Sequence, residues 1–222
     1  MTFGIAAKLT IFAAASLTGV FPQIEKTPAY EFAGSDQLAY QIEQGAPADV
    51  YAAASAKYPQ KLYAEGLVEK PRVFASNEVV LIVPLANPAH IRSALDLRRP
   101  GIKLVIGQQG VPIGDYTREL FRRLGILDAM ANVVSQETDV KGITAKVALG
   151  EADAGIVYRT DSRALAKSVL TFAFPAYAQP HVVCELAVVK SSRHLAVARA
   201  FVSRVLGRSG RAKLARAGFR LP

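Results

Sequence analysis

Three stretches of this chain repeat one arrangement: an apolar run, a few small residues, a hydroxyl, then helix-forming sequence. They are Phe12-Ala-Ala-Ala-Ser16, Phe32-Ala-Gly-Ser35 and Val50-Tyr-Ala-Ala-Ala-Ser55. A strand that runs into a helix start places backbone N–H groups at the positive end of that helix, where a small anion can be held. Small side chains let the anion reach the backbone, and the serine hydroxyls add donors. Taken singly, each serine has a plainer use as the N-cap of its own helix. Three such ends in one half of the chain, all opening at the carboxyl edge of one sheet, favour the anion.

Other chemistries find little material. Cys184 is the one cysteine, so no internal disulfide forms, and its apolar run reads as a buried strand. No base stands near it to make a nucleophile. His90, His181 and His194 are too scattered for a metal cluster, so no free cation is expected. With no nucleophile–base–orienter set and no phosphate loop, an enzyme is not expected. Asp36 reads as a first-turn helix residue and Asp139 as an N-cap, while Lys57 and Lys141 read as solvated.

The chain has 222 residues, 27 of them Lys or Arg against 18 Asp or Glu, for a formal charge of +9. Such a balance favours an anionic partner or surface. The basic residues are spread along the chain, and the densest cluster, Arg208 to Arg220, belongs to a terminal amphipathic segment with a solvated face. Nucleic acid is therefore not expected as a partner. The longest apolar runs, 11–20 and 79–85, are shorter than the ~18 residues of a membrane helix. Met1–Lys8 lacks the marks of a secretory leader, which fits either a protein that stays inside or a mature form with its leader removed.

The elements that must position these residues follow from periodicity and turn signals. Strands are expected at 8–14, 30–33, 49–54, 78–84, 103–107, 133–135, 154–158 and 182–190. Helices are expected at 36–44, 55–65, 93–101, 115–124, 140–149, 161–167, 193–206 and 210–217. This alternation predicts an α/β chain of two lobes, each a mostly parallel sheet flanked by helices. Ordered strands must cross between the lobes, near Val83–Pro84 and near Phe174–Gln179. The expected division is 1–82 with 180–222 as the first lobe and 83–179 as the second. Ligands of such folds bind in the cleft between the lobes.

The runs Leu9–Thr18, Phe32-Ala-Gly-Ser35, Gln41–Asp49, Val111-Pro-Ile-Gly-Asp-Tyr116 and Gly150–Tyr158 occur in order over nearly the whole chain. In them the chain closely resembles the molybdate-binding proteins of bacterial molybdate ABC importers. The resemblance implies a type II periplasmic-binding-protein fold with a hinge of two strand crossings. It implies a monomer outside the cytoplasm, in the periplasm, that holds molybdate or tungstate and delivers it to a membrane permease, with no cofactor and no catalysis. The implied ligands are Ser16, Ser35, the Ala54 and Val140 amides and the Tyr158 hydroxyl, with Ala15, Asp139 and Ser55 in a second tier. Another oxyanion such as sulfate, or a cytoplasmic anion-sensing lobe, is the alternative.

A donor-only cage suits a fully deprotonated dianion. A protonated phosphate needs an acceptor as well, and a buried polar group left unpaired costs ~1–3 kcal/mol. The chain also departs from the family. Residues 17–30 are short and broken by Pro22 and Pro28, so the first helix must be clipped. Ala53-Ala54-Ser55 replaces the usual Ser-Ala-Asp, and Tyr58-Pro59 stands where an aromatic such as Trp is usual, in a chain without Trp.

Overall fold

The computed structural model describes residues 8–222, and the expectation about a leader in the first residues falls largely outside that range. From Thr10 the chain runs through β1 (Thr10–Ala14), a 3-10 turn (Ala15–Leu17), α1 (Phe21–Ile24), β2 (Ala29–Ala33), α2 (Ser35–Glu43), β3 (Val50–Ala53), α3 (Lys57–Ala64) and β4 (Arg72–Asn77). It then builds β5 (Val79–Pro84), β6 (Leu104–Gly107), α4 (Pro112–Leu124), β7 (Val133–Glu137), α5 (Val140–Ala148), β8 (Ala154–Tyr158), α6 (Arg159–Ala164) and β9 (Val169–Ala173). It ends with β10 (Val182–Val188), α7 (Leu195–Leu206) and α8 (Arg208–Ala217).

The strands form two five-stranded sheets, ordered β2-β1-β3-β10-β4 and β7-β6-β8-β5-β9. In the first, β1 pairs in parallel with β2 and β3, and β10 alone runs against its neighbours. In the second, β6 pairs in parallel with β7 and β8, and β5 alone runs against its neighbours. Each reversed strand is the first one laid down after the chain changes sheet. By sheet membership the first change comes at Glu78, and all of β5 belongs to the second sheet. The expected boundary at 82/83 therefore falls inside that strand, whose six residues are all buried.

Where the elements differ from expectation, the causes are local. β4 and β9 were not anticipated; they are edge strands whose residues are partly exposed and do not alternate cleanly. The helix expected at 93–101 is only a 3-10 turn, Ala94–Arg98. The Asp96 carboxylate takes the Arg92 and Ser93 amides at 2.9 Å each, and Gly101 turns left-handed at φ 85°. The segment after β1 is clipped to a 3-10 turn and a four-residue α1 with a proline in its first turn.

The core is continuous beneath both sheets. Phe21 anchors the clipped segment against Phe74 and Phe201, with ring centroids 5.7 and 5.9 Å away. Burial of each such side chain contributes about 1.5–3 kcal/mol, which holds a helix too short to stand on hydrogen bonds alone. A close approach fixes α4. A Cβ on Gly114 would stand 2.0 Å from the Gln108 carbonyl oxygen and 2.5 Å from that of Gly107. The first turn of α4 thus lies directly on the carboxyl end of β6.

Gly114→Ala should therefore lower stability by about 1–3 kcal/mol in a chemical or thermal melt. Gly19→Ala, where an added methyl meets nothing within 4 Å, should leave the melt unchanged or slightly raised.

Candidate binding cavity between the sheets

The carboxyl edges of the two sheets face one another across a small cavity of about 20 Å³, measured for the centre of a water-sized sphere. One such sphere needs roughly 10–15 Å³, so the space suits a compact ion rather than an organic molecule. From the first sheet it is lined by Ala14, Ala15 and Ser16, by Ala33, Gly34 and Ser35, and by Ala54. From the second it is lined by Val111, Pro112 and Ile113, by Asp139 and Val140, and by Tyr158. The residues named from the sequence thus meet around one space, except Ser55. Ser55 is buried but is not among the residues that line the cavity.

The serines do not cap their helices: neither the 3-10 turn at Ser16 nor α2 at Ser35 has a side-chain cap. The hydroxyls of Ser16 and Tyr158, like that of Ser55, are buried with no hydrogen-bond partner among the described residues. Tyr158 is 2% exposed and meets the edge of Tyr116, with ring centroids 6.4 Å apart. Burial pushes the Tyr158 phenol far above its ordinary range, so it stays a neutral O–H donor. Ser35 is set differently. Its Oγ accepts the Ala54 N–H at 3.1 Å, and Tyr51 Oη donates to the Ser35 carbonyl at 2.6 Å. The Ala54 amide, expected to face an anion directly, is thereby engaged in orienting the Ser35 hydroxyl.

Asp139 is the N-cap of α5, its Oδ1 accepting the Lys141 and Gly142 amides at 2.6 and 3.2 Å. The Val140 amide precedes both and is left at the cavity wall. Asp139 also places a carboxylate in the lining, which corrects the expectation of a carboxylate-free pocket, although one of its oxygens is turned back onto α5. No Lys or Arg lines the cavity. Lys141 is drawn to the buried Asp161 at 2.9 Å. That pair ties the start of α5 to the start of α6, next to Tyr158. Burial holds the Asp161 carboxyl above the usual range and Lys141 partly offsets this.

The sequence reading missed the start of α4. It placed the helix from Asp115, but the helix begins at Pro112, with Val111 as N-cap and Val111, Pro112 and Ile113 in the lining. Proline in a first helical turn was the available signal. The first N–H groups of α2, α4 and α5, each at least nine residues long, therefore all open at the cavity, and their combined dipoles favour negative charge there.

The lobes touch around the cavity mouth. Lys57 Nζ on α3 meets Asp115 Oδ2 on α4 at 3.0 Å, and Tyr58 Oη donates to the Gly110 carbonyl. Gly34 abuts the second lobe so closely that a Cβ there would lie 2.5 Å from the Thr138 carbonyl oxygen. Burial pushes the Cys184 thiol up to about 12, away from nucleophilic use.

Comparison with known proteins agrees with this geometry. Residues 9–220 match the family model for bacterial extracellular solute-binding proteins. The molybdate-binding protein ModA of Mycobacterium tuberculosis is 39% identical over 98% of this chain and 86% of its own length. The periplasmic molybdate-binding protein of Azotobacter vinelandii superimposes with a TM-score of 0.87 at 24% identity, covering 97% of this chain and all of its own. The sulfate-binding protein SubI of Mycobacterium tuberculosis shares the fold, with a TM-score of 0.83 at 21% identity, over 97% of this chain and 87% of its own.

Gly34 has φ −59° and ψ 138°, which alanine adopts freely. Gly34→Ala should therefore fold with little change in melting temperature yet hold the sheet edges apart. Small-angle scattering should show a larger radius of gyration; an unchanged radius would mean the Gly34–Thr138 approach does not govern closure.

Proposed function

The chain belongs to the bacterial extracellular solute-binding proteins, among the molybdate-binding proteins, and on that premise we propose that it captures molybdate or tungstate in this cavity for the permease of an ABC importer. The observation that carries the reading is the pair of buried, unpartnered hydroxyls, Ser16 and Tyr158, one from each sheet and both at one cavity edge. A dianion of four oxygens supplies the acceptors these donors lack. The family is one of solute-binding proteins rather than enzymes, and the function uses no cofactor.

In this reading Ser16, Ser35 and Tyr158 donate O–H, and the Val140 and Ile113 amides donate from the starts of α5 and α4. Ala54 orients Ser35, and Asp139 holds the first turn of α5 so that the Val140 amide stays free. Ala15 contributes its small size and the adjoining backbone. Because every donor is neutral, binding rests on hydrogen bonds and helix dipoles, and the anion leaves when the lobes part. The lobes are residues 8–77 with 182–222, and 79–173. The protein works as a monomer outside the cytoplasm, without nucleic acid.

Titration calorimetry and thermal melts with molybdate, tungstate, sulfate and phosphate test the proposal. Molybdate at 100 times its Kd should stabilise the fold by about 2.7 kcal/mol. Unchanged melts with all four anions would overturn it. Ser16→Ala, Ser35→Ala and Tyr158→Phe should each weaken binding by about 1–3 kcal/mol, roughly 5- to 150-fold. Ser55→Ala should bind as the parent does; full affinity in the other three would show that the anion sits elsewhere.

A further inference from the structure

The basic residues are spread along the chain, but the excess charge is not. Up to Glu185 the chain carries eighteen Lys and Arg and eighteen Asp and Glu; beyond Glu185 it carries nine Lys and Arg and no acidic residue. The whole net charge of +9 therefore resides in the segment that builds the last three residues of β10 and all of α7 and α8. Three of these cations are paired: Arg199 with Glu69, Arg204 with Glu25 and Arg220 with Glu78.

On α8 none is. Arg208, Arg211, Lys213 and Arg216 form no ion pair among the described residues. Arg211 and Lys213 donate only to the backbone oxygens of Pro222 and Gln23. The buried side of α8 is Gly210 and Leu214. At 100° per residue, Arg208 and Arg216 fall on the opposite side with exposed Ala212 and Ala215, and half-buried Arg211 stands at the margin of that face beside Leu214. A face that is merely solvated mixes both signs; this one is cationic and small-residued.

We propose that the exposed face of α8 docks on an anionic phospholipid bilayer, keeping the protein beside the membrane where its permease lies; the biological sense of this rests on the transport function proposed above. Small residues between evenly placed cations give a smooth surface suited to a plane of headgroups. The face has no aromatic side chain on which a base could stack and no Asn or Gln to read a base edge. Attraction of this kind is worth about fivefold per cation near the surface and fades with salt.

The test is co-sedimentation of the full chain with vesicles of phosphatidylcholine, with and without phosphatidylglycerol. Binding is expected only with phosphatidylglycerol and should be lost in high salt. The triple variant Arg208→Gln, Arg211→Gln, Arg216→Gln should bind on the order of 100-fold more weakly. The charge-matched control Lys103→Gln, Arg122→Gln, Lys167→Gln, at exposed sites of the other lobe, should lose little. No binding by the parent chain, equal binding to neutral vesicles, equal loss in both triples, or tighter binding to duplex DNA than to the anionic vesicles would each overturn the proposal. Molybdate titration of the parent and the α8 triple should give the same affinity. A parent that binds vesicles but no molybdate would remove the transport function and leave the membrane contact standing.

Discussion

A buried hydroxyl with no acceptor costs about 1–3 kcal/mol, and this fold holds two of them against one small space. Everything near them serves that arrangement. Ser16 follows directly on β1, and Tyr158 ends β8. Most of the other lining residues are alanine, glycine or valine, so backbone comes near where bulkier side chains would intrude. α4 is pressed onto β6 by the Gly107–Gly114 approach, and α5 is capped by a carboxylate that spares the Val140 amide. In the proposed reading, donors from five separate segments crowd one spot with few acceptors, and a ligand rich in oxygen and poor in hydrogen restores the balance.

The relation of sequence to this site is uneven for physical reasons. Ser16 and Ser35 stand out in the sequence because a hydroxyl after small residues at a strand end is a side-chain signature, whereas Tyr158, after Ile156 and Val157, was implied only by the family resemblance. Val140 was likewise implied by the resemblance, and Asp139 marks the start of its helix. Ile113 was not, because a backbone donor leaves no mark on the residue that carries it, and the start of α4 was set three residues late. Ala54 was placed at the right wall, but its N–H is spent on Ser35. Ser55 looked equivalent to the other serines in pattern, following three alanines as Ser16 does, yet it does not line the cavity.

The fold shows the same division. Buried strands such as β1, β5 and β8 are apolar enough to be seen directly. Edge strands β4 and β9 carry mixed residues, because one side of each is in solvent. The change of sheet at Glu78 is a matter of pairing between distant segments, and no local pattern distinguishes a strand that ends one lobe from one that opens the next. The alternation of strands and helices supplied the two-lobe plan, but the hydrogen-bond ladder decides where the plan divides.

At the crossing, Val79 and Gln179 exchange a reciprocal pair of bonds, at 3.1 and 2.8 Å, and Glu78 holds Arg159 from one lobe and Arg220 from the other. Two chain segments laced side by side bend easily out of their common plane and resist sliding within it. For the proposed capture and release, such lacing suits a swing like a book on a stitched spine better than a shear of one half past the other. A partner that rests on both covers meets a single variable, the gap between them, and that gap is enough to tell whether cargo is aboard.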